Sequence, residues 1–324
     1  MPASAGMTVM GRRLGALRAP RYAGGRMGSE HDQGRPAGAT RFAGVRARLE
    51  AAAPERGFSA FLYEFLLFGF KQGWACLFGG LMLALLLATH LWWPADAPVA
   101  RYDFLTVAAL LIQIAMLAFR LETLEEAKVI LAFHIVGTVM ELFKTAHGSW
   151  EYREAGLLRI GDVPLFSGFM YAAVGSYLAR VWRIFDFRFT HYPPRWATVA
   201  LAAAIYVNFF AHHWLPDGRL GLFAATALLY WRTWVHYRPF RAHRRMPLLL
   251  GFLLVALFIW FAENIGTYAH AWSYPHQRHA WTLVPIAKLG AWYLLMIISF
   301  VLVERVHGRT GVGSQPIGEG SEMG

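Results

Sequence analysis

Apolar positions in this chain come in long unbroken runs, not at the spacing of an amphipathic helix. A soluble all-helical protein shows an apolar stripe every three to four residues against a charged face. Stretches such as "FGGLMLALLLAT" (78–89) and "PLLLGFLLVALFIWF" (247–261) have no polar face. A helix crosses a bilayer with about 20 mostly apolar residues. Runs of that kind lie at 74–93, 102–119, 127–146, 164–185, 196–215, 219–236, 247–266 and 284–303. The expected fold is therefore all-α, a polytopic membrane bundle of about eight spans. The segment 58–73, "FSAFLYEFLLFGFKQG", is apolar but interrupted by Glu64 and Lys71. It is expected as an amphipathic helix at the interface or as a re-entrant segment.

A common offset runs through the apolar pattern. "ATHLWWPAD" (88–96) aligns with "FAHHWLPDG" (210–218), so that His90, Trp92 and Pro94 match His212, Trp214 and Pro216, each 122 residues on. Glu141, Thr145, Trp150 and Tyr152 match Glu263, Thr267, Trp272 and Tyr274 at the same 122, and Val163-Pro164 matches Val284-Pro285 at 121. The offset predicts a duplication into two parallel four-span repeats, 58–185 and 186–307, related by an axis along the membrane normal. Residues 1–57, rich in Gly, Ala and Arg, are expected to be a disordered basic arm, and 308–324 a flexible polar tail.

Composition agrees with the membrane class, at 56% hydrophobic, 15% aromatic and 16% charged. The net charge of +11 matters through its placement. Arginines crowd the arm before residue 58 and the connections 180–195 and 232–245, while the alternate connections are poor or balanced. The positive-inside rule then places both termini in the cytoplasm of a cell-membrane protein, and both Glu–Trp–Tyr segments on the extracytoplasmic side. The basic residues flank spans without aromatic interleaving on a soluble domain, which excludes nucleic acid as a partner. The single cysteine, Cys76, allows no intrachain disulfide.

The candidate chemistry lies at the ends of two runs. In "HIVGTVMELFKTAHGSW" (134–150), His134, Glu141 and Thr145 share one helical face; Glu263, Thr267 and His270 share another. Carboxyls near hydrocarbon face the bundle and take partners, and such groups suit a general acid. Trp150, Tyr152, Trp272 and Tyr274 sit beside the acids and would shield a developing cation; Tyr171 and Trp292, each seven residues after a Val-Pro, are expected in the same cavity. His147 joins the substrate-facing set. Histidines on that side, His90 and His212 foremost by their matched positions, are candidate metal ligands, though no His-Glu-x-x-His helix is present. Plainer roles stay open: an interfacial aromatic belt, and Glu141 as helix–helix glue with Lys144 or His270.

From about 58 to 307 the chain resembles the bacterial integral membrane family called domain of unknown function 817, on "FHIVGTVMELFKTAHGSWEYREAGLLRIGDVPLFSGFMY" (133–171) above all. The resemblance implies a multi-span membrane fold and brings no established activity. A shorter stretch, "GSWEYREAGLLRIGDVPLFSGFMY", is similar to carotenoid-biosynthesis membrane hydratases, touching Gly148, Tyr152, Val163, Pro164 and Tyr171, with Asp162 where that pattern has Gly. It implies a cavity for an isoprenoid or another long lipid. The functions left open are a lipid or isoprenoid enzyme using acid catalysis, a proton- or ion-coupled carrier using the Glu pair, a structural scaffold, and a metal-dependent membrane enzyme. With neither a P-loop nor a dinucleotide fingerprint, no cofactor is expected.

Overall fold

The computed structural model describes residues 57–307, so the expected arm and tail lie outside the described residues. The chain is an all-α bundle with short strands confined to its connections. Its helices are α1 (Phe58–Ala75), α2 (Leu77–Trp92), α3 (Arg101–Ala118), α4 (Leu124–Ala146), α5 (Phe166–Phe185), α6 (Arg195–Ala211), α7 (Arg219–Tyr230), α8 (Leu248–Tyr268) and α9 (Ala287–His307). Strands β1 (Arg159–Ile160) and β2 (Val163–Pro164) form a hairpin before α5. Strands β3 (Arg188–Thr190), β4 (Trp234–Tyr237) and β5 (Arg244–Pro247) form an antiparallel sheet in register Arg188↔His236 and Trp234↔Pro247. Both arginine-rich connections are thus folded together.

Among the described residues four helices are long and apolar enough to cross a membrane: α3, α4, α8 and Ala287–Arg305 of α9. A fifth span exists if α1 and α2, bent by 68° at their junction, count as one. This multi-pass arrangement corrects the expectation of about eight spans. The reason lies in where the helices stop. The run 196–215 is helical only to Ala211, where the His212–Trp214 turn begins, and the run 219–236 stops at Tyr230 before β4. At 1.5 Å per residue, α7 is about 18 Å long against a hydrocarbon core of about 30 Å. The run 164–185 does form a helix, α5, but one carrying Arg180 and Arg183 into the protein interior and its edge.

The expected pair of parallel repeats is corrected as well, since no clear twofold repeat of elements is present among the described residues. An 18-residue α3 follows the first matched turn and a 12-residue α7 the second. A β-hairpin follows the first Glu segment, and a single 3-10 turn, Pro275–Gln277, the second. The shared offset is a local likeness of two carboxylate segments. It is not an architecture.

Two local devices position the site. Helix α4 starts at a capping box in which Thr123 Oγ1 accepts from the Glu126 amide at 3.2 Å and Glu126 Oε2 accepts from the Thr123 amide at 2.8 Å. Helices α4 and α5 then cross with almost nothing between their backbones. A Cβ on Gly137 would lie 2.5 Å from Cβ and Cγ of Tyr171, and one on Gly175 would lie 2.8 Å from the Phe133 ring. Small residues at the crossing are the usual means of close helix approach in membranes. Gly137→Ala is expected to destabilise the protein by about 1–3 kcal/mol, the range for overpacking a rigid contact. An unchanged thermal unfolding midpoint in detergent would show that α5 moves aside at no cost.

At the opposite end from Glu141, Arg180 and Glu122 form an ion pair at 3.0 Å with side chains 0% and 1% exposed. Glu122 also accepts from Ser176 at 2.5 Å and from Gln113, while Arg180 donates to the Trp74 carbonyl at 3.1 Å, beside the α1–α2 bend. Helix α1 presents Phe58, Phe61, Phe65 and Phe70 outward, and Glu64 and Lys71 tie it to Arg244 and the Pro239 carbonyl. The two charges that interrupt this segment in the sequence are its anchors.

Candidate functional site

Glu141 lies near the end of α4, one turn beyond Gly137, and Glu263 near the end of α8; each residue is 4% exposed. Glu141 accepts three hydrogen bonds: from Trp150 Nε1 at 2.7 Å and Tyr152 OH at 2.8 Å on Oε2, and from Tyr171 OH at 2.9 Å on Oε1. Glu263 accepts from Tyr274 OH on Oε1 and from Trp292 Nε1 at 2.7 Å on Oε2. An indole N–H can only donate, so Trp150 and Trp292 require a carboxylate or carbonyl oxygen opposite them. Burial, together with the adjoining Glu141 carboxylate, pushes the Tyr152 phenol well above its ordinary pKa; burial and Glu263 do the same for Tyr274. Both phenols stay protonated and donate.

The two carboxylate nests are joined. Trp150 and Tyr274 meet edge to face with centroids 6.1 Å apart, and Tyr171 and Trp292 lie 6.3 Å apart. The loops carrying them pair as a short antiparallel bridge, with Glu151 and Ser273 exchanging two backbone hydrogen bonds of 3.0 Å. Arg153 and Arg278 clamp the Glu151 side chain across the same seam at 2.9 and 3.1 Å. Burial works to raise the Glu151 carboxyl, and these hydrogen bonds outweigh it, holding it below its ordinary value. Glu141, Glu263, Trp150, Tyr152, Tyr171, Tyr274 and Trp292 thus form one cluster at one end of the bundle.

Other residues singled out from the sequence stand apart from the carboxylates. Trp272 packs its ring over Gly266, where an added Cβ would lie 2.2 Å away; the indole that reaches Glu263 is Trp292 of α9. Thr267 accepts from Trp281 Nε1 at 3.2 Å and donates to the Asn264 carbonyl at 3.1 Å, and the buried Oγ1 of Thr145 meets no hydrogen-bond partner among the described residues. His134 lies 4.5 Å from the Phe169 ring against Gly168. His147 is exposed and stacks on Phe143, centroids 4.1 Å apart. The metal candidates separate: His90 neighbours His270 at 5.1 Å, whereas His212 neighbours His213 at 4.4 Å. Among the described residues no group of three or more His, Cys, Asp or Glu side chains is placed to hold a metal ion. Lys144 points to His212 and His213, not to Glu141, so the expected Glu141–Lys144 glue is not made.

Several residues that carry the site were not visible from spacing. Arg101, 6% exposed, bonds Thr89 Oγ1 at 3.0 Å, Glu154 at 2.7 Å and the Ala269 carbonyl at 2.7 Å, tying together the ends of α2 and α8 and the loop after α4. Asp103 accepts from the amides of Leu157 and Leu158, and Tyr102 OH donates to the Ala271 carbonyl at 3.0 Å. The available signal was "RYD" opening an apolar run, where a charged residue is costly unless paired. Asn264 Oδ1 accepts from the Val284 amide at 2.9 Å and Trp260 Nε1 donates to the Val284 carbonyl at 3.2 Å, which fixes where α9 begins and hence where Trp292 points.

A chain with this site has relatives. The family model "Protein of unknown function (DUF817)" matches residues 64–300. "Uncharacterized protein YoaT" of Bacillus subtilis (strain 168) is 45% identical over 237 residues, covering 73% of this chain and 89% of that protein. No solved structure matches the chain. The family match spans α1 to α9 and includes both carboxylate nests, and the chain belongs to the DUF817 family of proteins.

Proposed function

We propose that this protein is a membrane enzyme acting on a lipid or isoprenoid substrate by acid catalysis, in a hydratase- or cyclase-like reaction at Glu141 and Glu263. One observation carries the reading. Tyr171 and Trp292, which hold the two carboxylates, also line a narrow, mostly apolar slot with about 30 Å³ of open room, which an entering chain would have to widen. The slot continues between α4, α5, α8 and α9 past Met140, Val174, Ile259 and Leu295 to Leu302. From Trp292 to Leu302 the helix rises about 15 Å. Apart from Tyr171, Trp292 and Ser299 the slot's walls are aliphatic, aromatic and thioether side chains, which suit hydrocarbon better than a bare ion. Met140 and Met296 line it, and flexible thioethers can yield to an entering chain.

The chemistry follows from the contacts. With Glu141 protonated on Oε1 and donating to the Tyr171 oxygen, the Tyr171 hydroxyl turns to give its proton to the π pair of an alkene while the Glu141 proton replaces it, which leaves a C–H bond, a carbocation and the Glu141 carboxylate. The rings of Tyr171 and Trp292 attract that cation. The donors on Glu141 are already aimed at the anion that the transfer leaves. Water then adds through oxygen and returns its proton to a carboxylate, or an internal alkene closes a ring and a C–H proton returns. By the positive-inside rule, the arginine-rich connections at the other end would place this end away from the cytoplasm.

A second reading, a proton- or ion-coupled carrier, draws on the two buried carboxylates lying at the same end as Lys144 and Lys288. One comparison separates the two: mass spectrometry of apolar lipid and pigment extracts from a deletion strain carrying the wild-type gene, Glu141→Gln/Glu263→Gln, or none. A species altered in the deletion and restored by wild type alone is expected. Identical extracts with confirmed expression would rule out lipid chemistry in that host, and proton-linked uptake in vesicles would then be the measurement.

A further inference from the structure

Two lysines lie beside the carboxylate nests, Lys144 one turn after Glu141 and Lys288 over the rings of Tyr274 and Trp150. Lys144, one turn after Glu141 on α4, is 3% exposed. Its Nζ lies 3.3 Å from Nε2 of His212 and 3.0 Å from Nε2 of His213, and 4.3 Å from the centre of the Phe209 ring. The His212 ring places Nδ1 3.0 Å from the Asn208 carbonyl, which only an N–H there can use, so Nε2 is the lone-pair nitrogen that accepts from the ammonium. Lys288, in the first turn of α9, holds Nζ over the rings of Tyr274 and Trp150 at 4.2 and 5.3 Å. Neither ammonium forms an ion pair among the described residues. The other charges facing them are Glu141, Glu263, Arg219 and Asp217, the last two paired with each other at 2.5 Å.

An ammonium carries three N–H donors. Imidazoles lie within hydrogen-bond distance of Lys144 Nζ and the Phe209 ring faces it, while the half-buried Lys288 Nζ faces the Tyr274 and Trp150 rings, so each ammonium keeps N–H capacity for a further acceptor. The acid step of the proposed reaction requires a protonated carboxyl, and each protonated Glu removes one negative charge facing the lysines. A phosphate monoester, at about −1.5 to −2 near neutral pH, fits both the charge and the donors.

We infer that Lys144 and Lys288, with His212 and His213 behind Lys144, form a subsite for the phosphate head group of a long-chain substrate whose tail lies in the slot walled by Tyr171 and Trp292. This rests on the apolar-chain reading above and names the polar end of that substrate. The imidazoles hold the ammonium in place without neutralising it, as carboxylates in their position would.

The test is equilibrium binding to the full chain in detergent, with radiolabelled geranylgeranyl monophosphate and geranylgeraniol as probes and inorganic phosphate as competitor. The monophosphate is expected to bind at least about tenfold more tightly than the alcohol, the value of one charge-assisted hydrogen bond. Lys288→Gln and Lys144→Gln should each remove most of that preference and leave the alcohol's affinity unchanged, which also shows that the variants are folded. Equal binding of the two probes to wild type would overturn the head-group subsite while leaving the apolar-chain reading intact. Binding of neither probe would overturn both. Displacement by inorganic phosphate as strong as by the monophosphate would mean a free-anion site, and would overturn the lipid source.

Discussion

Glu141→Gln is expected to lower turnover by about 10²- to 10⁴-fold, the usual contribution of a positioned acid, with little change in stability. The geometry makes this substitution unusually clean. Trp150 and Tyr152 both donate to Oε2, so a Gln carbonyl placed there keeps both bonds, and its NH₂ at the Oε1 position donates to the Tyr171 oxygen. Glu263→Gln is accommodated in the same way, with its carbonyl toward Trp292 and its NH₂ toward Tyr274. Glu141→Ala differs in kind, because it strands buried donors at about 1–3 kcal/mol for each one left without a partner. The measurement pairs turnover of the substrate identified in the lipid extracts with the thermal midpoint of the same purified variants. If Glu141→Gln turns over at the wild-type rate, the carboxylate is structural and the acid mechanism is wrong.

Removing Arg180 alone should be the most destabilising single change in the described bundle, at about 3–5 kcal/mol, because it leaves Glu122 charged and uncompensated in the interior. Arg180→Met also frees the Trp74 carbonyl beside the α1–α2 bend. The double variant Arg180→Met/Glu122→Met should recover most of the loss, since replacing a whole buried pair with apolar residues of similar volume is often close to neutral. Unfolding of the single and double variants in detergent decides this. A double variant as unstable as the single one would show that the pair fixes the helix arrangement beyond its own charge balance, with Gln113 and Ser176 among the groups it organises.

The overall class and the two acids could be read directly from the chain. Apolar runs without a polar face exclude a water-facing helix, and a Glu beside Trp and Tyr at the end of such a run has to find donors. Trp150, Tyr152 and Tyr274 were legible for that reason, as were Tyr171 and Trp292 from their distance to a Val-Pro. The matched Thr and His positions were less informative. Thr267 and Trp272 share the common offset, yet they serve helix packing, because a spacing of four or nine residues does not say toward which neighbour a side chain turns.

What the linear order of residues determined by itself is therefore the solvent: a chain this apolar folds in a membrane. Tertiary structure alone decided how many helices cross, because a hydropathy window sums composition across a turn such as His212–Trp214 without registering that the helix has ended. It also decided who partners whom. Arg101 with Ala269, Glu122 with Arg180 and Glu263 with Trp292 are contacts between segments remote in the chain. A buried polar group requires a partner, but only the packing of helices selects which one.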